Sequence, residues 1–372
     1  MNINLVYIVV IVVLALFLGN NDTSKVRKIY IFFCCSMLLL GASLRSVYYG
    51  LDQGLDTHSY YVLFHNNLNF SFQDILQRAF LRYSGQSGEE SDVGYVLLCK
   101  IIGLFSDDFH IYTFFALLLF FVPFGIFLNR HFNNIASLAF AFVFYVALIN
   151  IYAMGGGRQM FALGMAIASF LFYEKRKYKS FFIAFFIGVT LHFSMIVFAI
   201  PFLLERFSPN KLKKLHLLAF LFFPIVLLMP NIIILFMARL FGYSKYEAYG
   251  MNAEAGGTET FIFLIEAMSL YCLYSIKSFN ISAKISKVLY AMLPCLTIFA
   301  PLIYSNGTMI RISLYFFIYM TVLIPEATKE YFSPGLYKVV LGGLTAVLIF
   351  LTLKGNNIPY DFYWNVDPVN LQ

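Results

Sequence analysis

Residues 180–204 read SFFIAFFIGVTLHFSMIVFAIPFLL. The run is apolar over 25 residues, and His192 is its one ionisable side chain. A single tilted helix of that length crosses a bilayer, whose hydrocarbon layer takes about 20 residues. Two short helices broken near Leu191-His192 would instead enter and return, which is tolerated where the break lines a protein cavity. The two readings put everything after residue 204 on opposite sides of the membrane.

Lysine and arginine discriminate between them. If the segment returns, the stretches 21–30, Arg130, 174–179, 205–216, 277–287 and 327–338 share one side and hold 17 basic residues, against 9 on the other. If it crosses once, the split becomes 12 to 14. Cytoplasmic loops carry the excess of Lys and Arg, so the returning hairpin is expected. Full spans are expected near 3–19, 29–44, 111–128, 135–153, 159–173, 215–241, 261–276, 288–305, 309–326 and 336–353. The expected fold is therefore an all-α polytopic membrane bundle with about ten full spans. It forms one transmembrane domain, residues 1–372, with a broken hairpin at 180–204, both termini outside, and long outer loops at 45–110 and 242–260.

Composition agrees. Hydrophobic residues make up 60%, charged residues 12%, and mean hydropathy is +0.77. A soluble domain carries about twice that charge fraction. The net charge of +7 sits mainly in short loops, where topology accounts for it and no nucleic-acid partner is needed. None of the five cysteines has metal-ligand spacing. The N-terminal NINLVYIVVIVVLALFLGN has no basic leader and no A-x-A site, and Lys25, Arg27 and Lys28 follow it. It reads as a retained first helix and not a cleaved signal.

The first outer loop holds eight acidic residues against four basic. Its segment 93–105, VGYVLLCKIIGLF, is short for a span and fits an interfacial helix. Glu89, Glu90 and Asp92 stand just before it, placed to cap it. Asp56, in GLDTHSYYVLF, reads as an N-cap for a helix starting near 57, or as a carboxylate for sugar hydroxyls or base catalysis. Glu247, Glu254 and Glu259 are outer-face carboxylates of the second loop. Glu266 lies inside a span, so it is neutral, paired or facing water.

Four further ionisable groups fall on the outer half of the membrane: Arg45, Arg158, His192 and Arg311. Such residues usually face a cavity and mark function. The stretch MGGGRQ, 154–159, places Arg158 at the start of an apolar helix. A helix N-terminus offers free N–H groups and positive potential, glycines let the backbone curl, and arginine adds a planar fork. Gly156, Gly157 and Arg158 thus read as an anion site, with Arg311 a second cation for the same anion. The plainer reading is that both arginines reach to lipid headgroups. His192 reads as a hydrogen-bonded structural residue, or as a proton shuttle at the helix break.

Four stretches in order resemble the EpsG family, relatives of the Wzy-type polysaccharide polymerases: Arg45 followed by GLDTHSYYVLF, with Asp56 and Tyr60; SDVGYVLLCKII; GGRQMFALGMAIASFLFYEKRKYKSFFIAFFIGVTLHFSMIVFAIPFLL, with Arg158, His192 and Ser194; and Arg311 before an aromatic span. The late IPYDFYW, 358–364, is also similar. The family often has Glu where this chain has Ser91-Asp92.

The resemblance implies a multi-pass protein of the bacterial inner membrane that polymerises oligosaccharide repeat units on undecaprenyl pyrophosphate at the outer, periplasmic face. The lipid-linked oligosaccharides are then its substrates, and a flippase and a chain-length regulator of the same pathway its partners. Arg158, Gly156 and Gly157 would hold the pyrophosphate, with Arg311 and Arg45 sharing its charge. His192 or Asp56 would act as base, and Tyr60 would touch sugar. No metal or other cofactor is expected, since arginines supply the positive charge. Two other classes fit less well. A lipid-linked glycan flippase or transporter needs charges near the midplane and on both faces. A membrane O-acyltransferase needs His192 within reach of a cytoplasmic acyl donor.

Overall fold

The computed structural model describes residues 2–48, 55–83, 92–155, 157–241, 259–275, 287–304, 307–355 and 359–365. Among them every regular element is helical, and the pairing of Arg45 with Phe362 is the one β-bridge. In chain order the helices are α1 (Ile3–Leu18), α2 (Ser24–Ser43), α3 (Thr57–Leu68), α4 (Phe72–Tyr83), α5 (Val93–Gly103), α6 (Phe109–His131), α7 (Ile135–Leu148), α8 (Asn150–Gly155), α9 (Gly157–Glu174) and α10 (Tyr178–Leu191). A 3-10 run, Phe193–Ala199, leads to α11 (Ile200–Leu204), α12 (Pro209–Leu228), α13 (Pro230–Phe241), α14 (Glu259–Ser275), α15 (Lys287–Phe299), α16 (Ile310–Phe317), α17 (Met320–Tyr331) and α18 (Pro334–Lys354).

Many helix starts are written locally. The side chains of Asn2, Thr23, Asp108, Asn134 and Ser208 each accept a backbone N–H from the first turn that follows. Such caps satisfy donors that have no intrahelical partner, which matters most where water is scarce. Other helices end where a polar side chain or a proline interrupts the ladder. The 180–204 run breaks at His192, as its sequence suggested. The expected 215–241 span parts at Met229, before Pro230.

Five described stretches are long and apolar enough to cross a membrane: Ile3–Asn21, Ser24–Ser43, Phe109–His131, Lys287–Tyr304 and Pro334–Lys354. The pair Gly307–Phe317 and Met320–Tyr331, bent by 51°, is a sixth if taken as one span. The other expected spans fall on helices that are shorter, broken or polar at one end. The chain is an all-helical, multi-pass membrane protein.

The helices group into two units. The first holds Met1–Ile75, Asp92–Phe193 and Gly335–Gln372; the second holds Leu76–Ser91 and Ser194–Pro334. In the first, α9 packs on α6 and α10, α2 packs on α6, and α1 packs on α7. The α6–α9 approach depends on Gly164, where an added Cβ would run into the backbone of Leu119 and Phe120. Small residues let helix backbones close up in just this way inside a bilayer. Rings of Phe120, Phe124 and Tyr145 stack in the core beside it.

The first unit has two polar ends. At one, Arg27 bonds Asp22 and the Asn133 carbonyl, Arg130 pairs with Glu174 at 3.0 Å, and Ser137 bonds Tyr337. Lys25, Lys28, Lys175, Arg176 and Lys177 belong to the same end of the helices. At the other, Asn150 bonds Asn4, His110 bonds the Ser43 carbonyl, and Thr57 bonds the Met154 carbonyl. In the second unit α12 packs on α15 and α14 on α17. A buried trio lies between three of these helices: His216 Nε2 is 2.8 Å from Ser269 Oγ and 3.3 Å from Thr297 Oγ1. Glu266 is buried, with its carboxyl facing Thr297.

Candidate functional site

The end of the first unit away from the basic loops gathers Asp92, Arg158 and His192. His192 follows the last turn of α10, in extended backbone, its N–H still bonded to the Gly188 carbonyl. Arg158 is in the first turn of α9, the helix packed beside α10. Asp92 precedes α5. Its backbone carbonyl receives the N–H groups of Tyr95 and Val96, as at any N-cap, but its carboxylate makes no capping bond.

That carboxylate is turned inward. Asp92 Oδ2 lies 3.0 Å from His192 Nδ1 and 3.6 Å from an Arg158 terminal nitrogen. The three side chains are 2%, 11% and 16% exposed, respectively. A carboxylate accepts only, so Nδ1 carries the proton and the imidazole lone pair is on Nε2. The Arg158 guanidinium also sits over two tyrosine rings, 5.7 Å from the centre of Tyr60 and 5.3 Å from that of Tyr95. Among the described residues its Nε–H makes no hydrogen bond. Burial pushes the Tyr95 phenol well above its usual range, so that ring stays neutral beside the cation.

One glycine, Gly94, shapes the cluster. A Cβ on Gly94 would fall 2.7 Å from the Thr190 carbonyl carbon and 2.8 Å from its oxygen. The start of α5 therefore abuts the last turn of α10, which is what brings Asp92 to His192. At Gly157 a Cβ would come 3.7 Å from the Tyr60 ring and 3.4 Å from Phe161. These are ordinary contact distances, so the start of α9 lies against α3 without depending on a glycine at 157. The arrangement can hold an anion on a permanent cation and move a proton through an oriented imidazole.

The expected site residues divide. Arg158, His192, Gly157 and Tyr60 come together. Asp56 stands at the start of α3 as the sequence suggested, its carbonyl bonded by the Tyr60 N–H at 2.9 Å, though its side chain makes no capping bond. Arg45 is buried at the end of α2, where it bonds the Ala42 carbonyl and pairs with Phe362. Arg311 lies in α16, within the second unit. Gly156, Glu89, Glu90, Glu247 and Glu254 fall outside the described residues. Among the described residues no group of three or more His, Cys, Asp or Glu is placed to hold a metal ion. Asp92 and Tyr95 were not singled out as site residues from sequence. Their signal was Asp-Val-Gly-Tyr, 92–95, a carboxylate two residues before the glycine that permits close approach.

A family model described as EpsG family matches residues 28–362. The chain belongs to the EpsG family. No curated protein and no solved structure matches it. EpsG is the family of Wzy-like polysaccharide polymerases, so the general role is polysaccharide polymerisation in a membrane. The family match spans every residue of the Asp92–His192–Arg158 cluster.

Gly94 gives an early test in this EpsG protein. Gly94→Ala forces the start of α5 away from α10 and withdraws Asp92 from His192. A misplacement of about 1 Å costs about 10²-fold in rate. Polymer formation should fall by that order while the protein still reaches the membrane, as measured by polymer yield against an immunoblot of membranes. Wild-type yield from Gly94→Ala would detach Asp92 from the activity.

Proposed function

We propose that the chain joins oligosaccharide repeat units carried on undecaprenyl pyrophosphate, by glycosyl transfer at the outer face of the bacterial inner membrane. The observation that carries this is the buried carboxylate shared by an arginine at a helix start and a histidine at a helix break. In the reaction the acceptor hydroxyl oxygen bonds to the anomeric carbon of the donor as that carbon's bond to the pyrophosphate oxygen breaks. The hydroxyl proton passes to His192 Nε2. Asp92 orients the ring and balances the imidazolium that forms. Charge developing on the leaving pyrophosphate meets the Arg158 guanidinium and the first N–H groups of α9. His192 is the base in this reading in preference to Asp56, because the structure gives His192 an orienting carboxylate.

The distribution of charge supports the outer face. The basic residues gather at the opposite end of the first unit, and cytoplasmic ends are the basic ones. The apolar helices offer a surface for polyprenyl tails.

Polymer length in cells lacking the protein, with and without the wild-type gene restored, tests the function. Lipid-linked intermediates and surface glycans are resolved on gels. The reading expects single repeat units at the outer face without the protein and long chains with it. Repeat units that never reach the outer face would assign a flippase, and full-length polymer lacking only acyl groups would assign an acyltransferase.

A further inference from the structure

The segment 359–365, PYDFYWN, returns from the end of the chain to the end of α2 and is fixed there. The Tyr360 hydroxyl donates to the Gly41 carbonyl at 2.8 Å. Ser46 N–H donates to the Asp361 carbonyl at 2.8 Å, and Tyr363 N–H to the Leu44 carbonyl at 3.1 Å. The Tyr363 ring stacks on His110, with centroids 4.3 Å apart. The Phe362 ring lies nearly parallel to Trp364, 4.5 Å away and inclined by 9°. A strap so firmly held nonetheless leaves Trp364 58% and Tyr363 43% exposed.

The polar neighbours of these rings define what they suit. Asp361 and Asn365 are exposed, and their side chains make no hydrogen bond among the described residues. A sugar ring has an apolar C–H face and a rim of hydroxyls. An indole covers the face, while a carboxylate and an amide accept and donate at the rim. Trp and Tyr also gather at membrane–water interfaces, and the quenching comparison below separates that placement from a sugar contact. The strap belongs to the same end of the first unit as Arg158. The two are joined through α3, whose Tyr61 ring lies 5.6 Å from Phe109, next to His110, and whose Tyr60 lies under Arg158.

We infer that the strap is a glycan-binding subsite, with Trp364 as its stacking platform and Asp361 and Asn365 as its hydroxyl ligands. Resting on the proposed polymerase reading, it holds a sugar of the repeat unit near the reacting end.

Trp364 is the only tryptophan of the chain, so the protein's indole emission reports on this position alone. The full chain in lipid nanodiscs is titrated with lipid-free oligosaccharides of one to three repeat units, released by mild acid from the polymer that cells carrying the protein make. A saturable change in emission is expected, with Asp361→Ala raising the dissociation constant about tenfold, as loss of a hydrogen bond to a charged group does. Trp364→Ala should shorten the polymer in cells, and Trp364→Tyr should restore part of the length. An emission that ignores the oligosaccharides, or one quenched by brominated lipid and not by acrylamide, would overturn the inference and make the strap a membrane anchor. The titration requires no turnover. Failure of the polymerase reading appears separately, as wild-type protein that does not restore long chains.

Discussion

Arg158→Lys leaves cells with single repeat units and lowers polymer formation about 10²–10³-fold, the loss seen when one donor to a developing oxyanion is removed. Lysine keeps the positive charge opposite Asp92, so the pair survives and the protein should reach the membrane normally. The planar fork is lost, and with it bidentate contact with phosphate and the fit over Tyr60 and Tyr95. Arg158→Ala is the less informative variant. It leaves the Asp92 carboxylate, 2% exposed, without its cation, and breaking a buried pair costs about 3–5 kcal/mol of stability. The measurement is gel-resolved polymer length, normalised to membrane protein level. Near-normal chains from the lysine variant would remove Arg158 from the pyrophosphate.

The second large effect is expected at a residue with no contact to substrate. Asp92→Asn preserves shape and removes charge. An asparagine can offer its amide N–H to His192 Nδ1, which favours the wrong tautomer, and it no longer balances an imidazolium. Rate should fall by about 10²–10⁴-fold. A coupled pair also has a signature that a structural role lacks. If Asp92 acts through His192, then Asp92→Asn combined with His192→Ala is no slower than His192→Ala alone. If Asp92 only steadies Arg158, the two losses multiply. Single-turnover rates with lipid-linked donor separate the two outcomes.

Much of this architecture was readable from sequence where its cause is local. The break at Leu191-His192 was visible because the Lys and Arg count favoured a returning hairpin over a single crossing, and His192 is the one ionisable side chain in that apolar run. The start of α9 was visible because glycines and an arginine meet an apolar run, and the start of α3 because Asp56-Thr57 precedes one. The Asp92–His192 pair was not readable. The partners are 100 residues apart, and what joins them is a glycine whose value lies in a side chain it lacks. The expected 135–153 span hides a break at Ile149, where no proline or glycine announces it. The bend between α16 and α17, where Thr321 Oγ1 donates to the Ile318 carbonyl at 2.6 Å, likewise has no proline or glycine at it. Helix α4, FQDILQRAFLRY, was passed over inside an acidic loop, though its apolar residues recur at helical spacing.

The antiparallel neighbours α9 and α10 have a further effect through the direction in which each runs. Arg158 stands where α9 begins and His192 where α10 ends, so the two helices bring opposite ends of their peptide dipoles to one place. The potential is positive on the Arg158 side and negative on the His192 side, each end worth about 0.3–1 kcal/mol to a matching charge. In the proposed reaction the backbone would thus sort the products before any side chain moves: the departing anion would be drawn toward one helix, and the released proton toward the other.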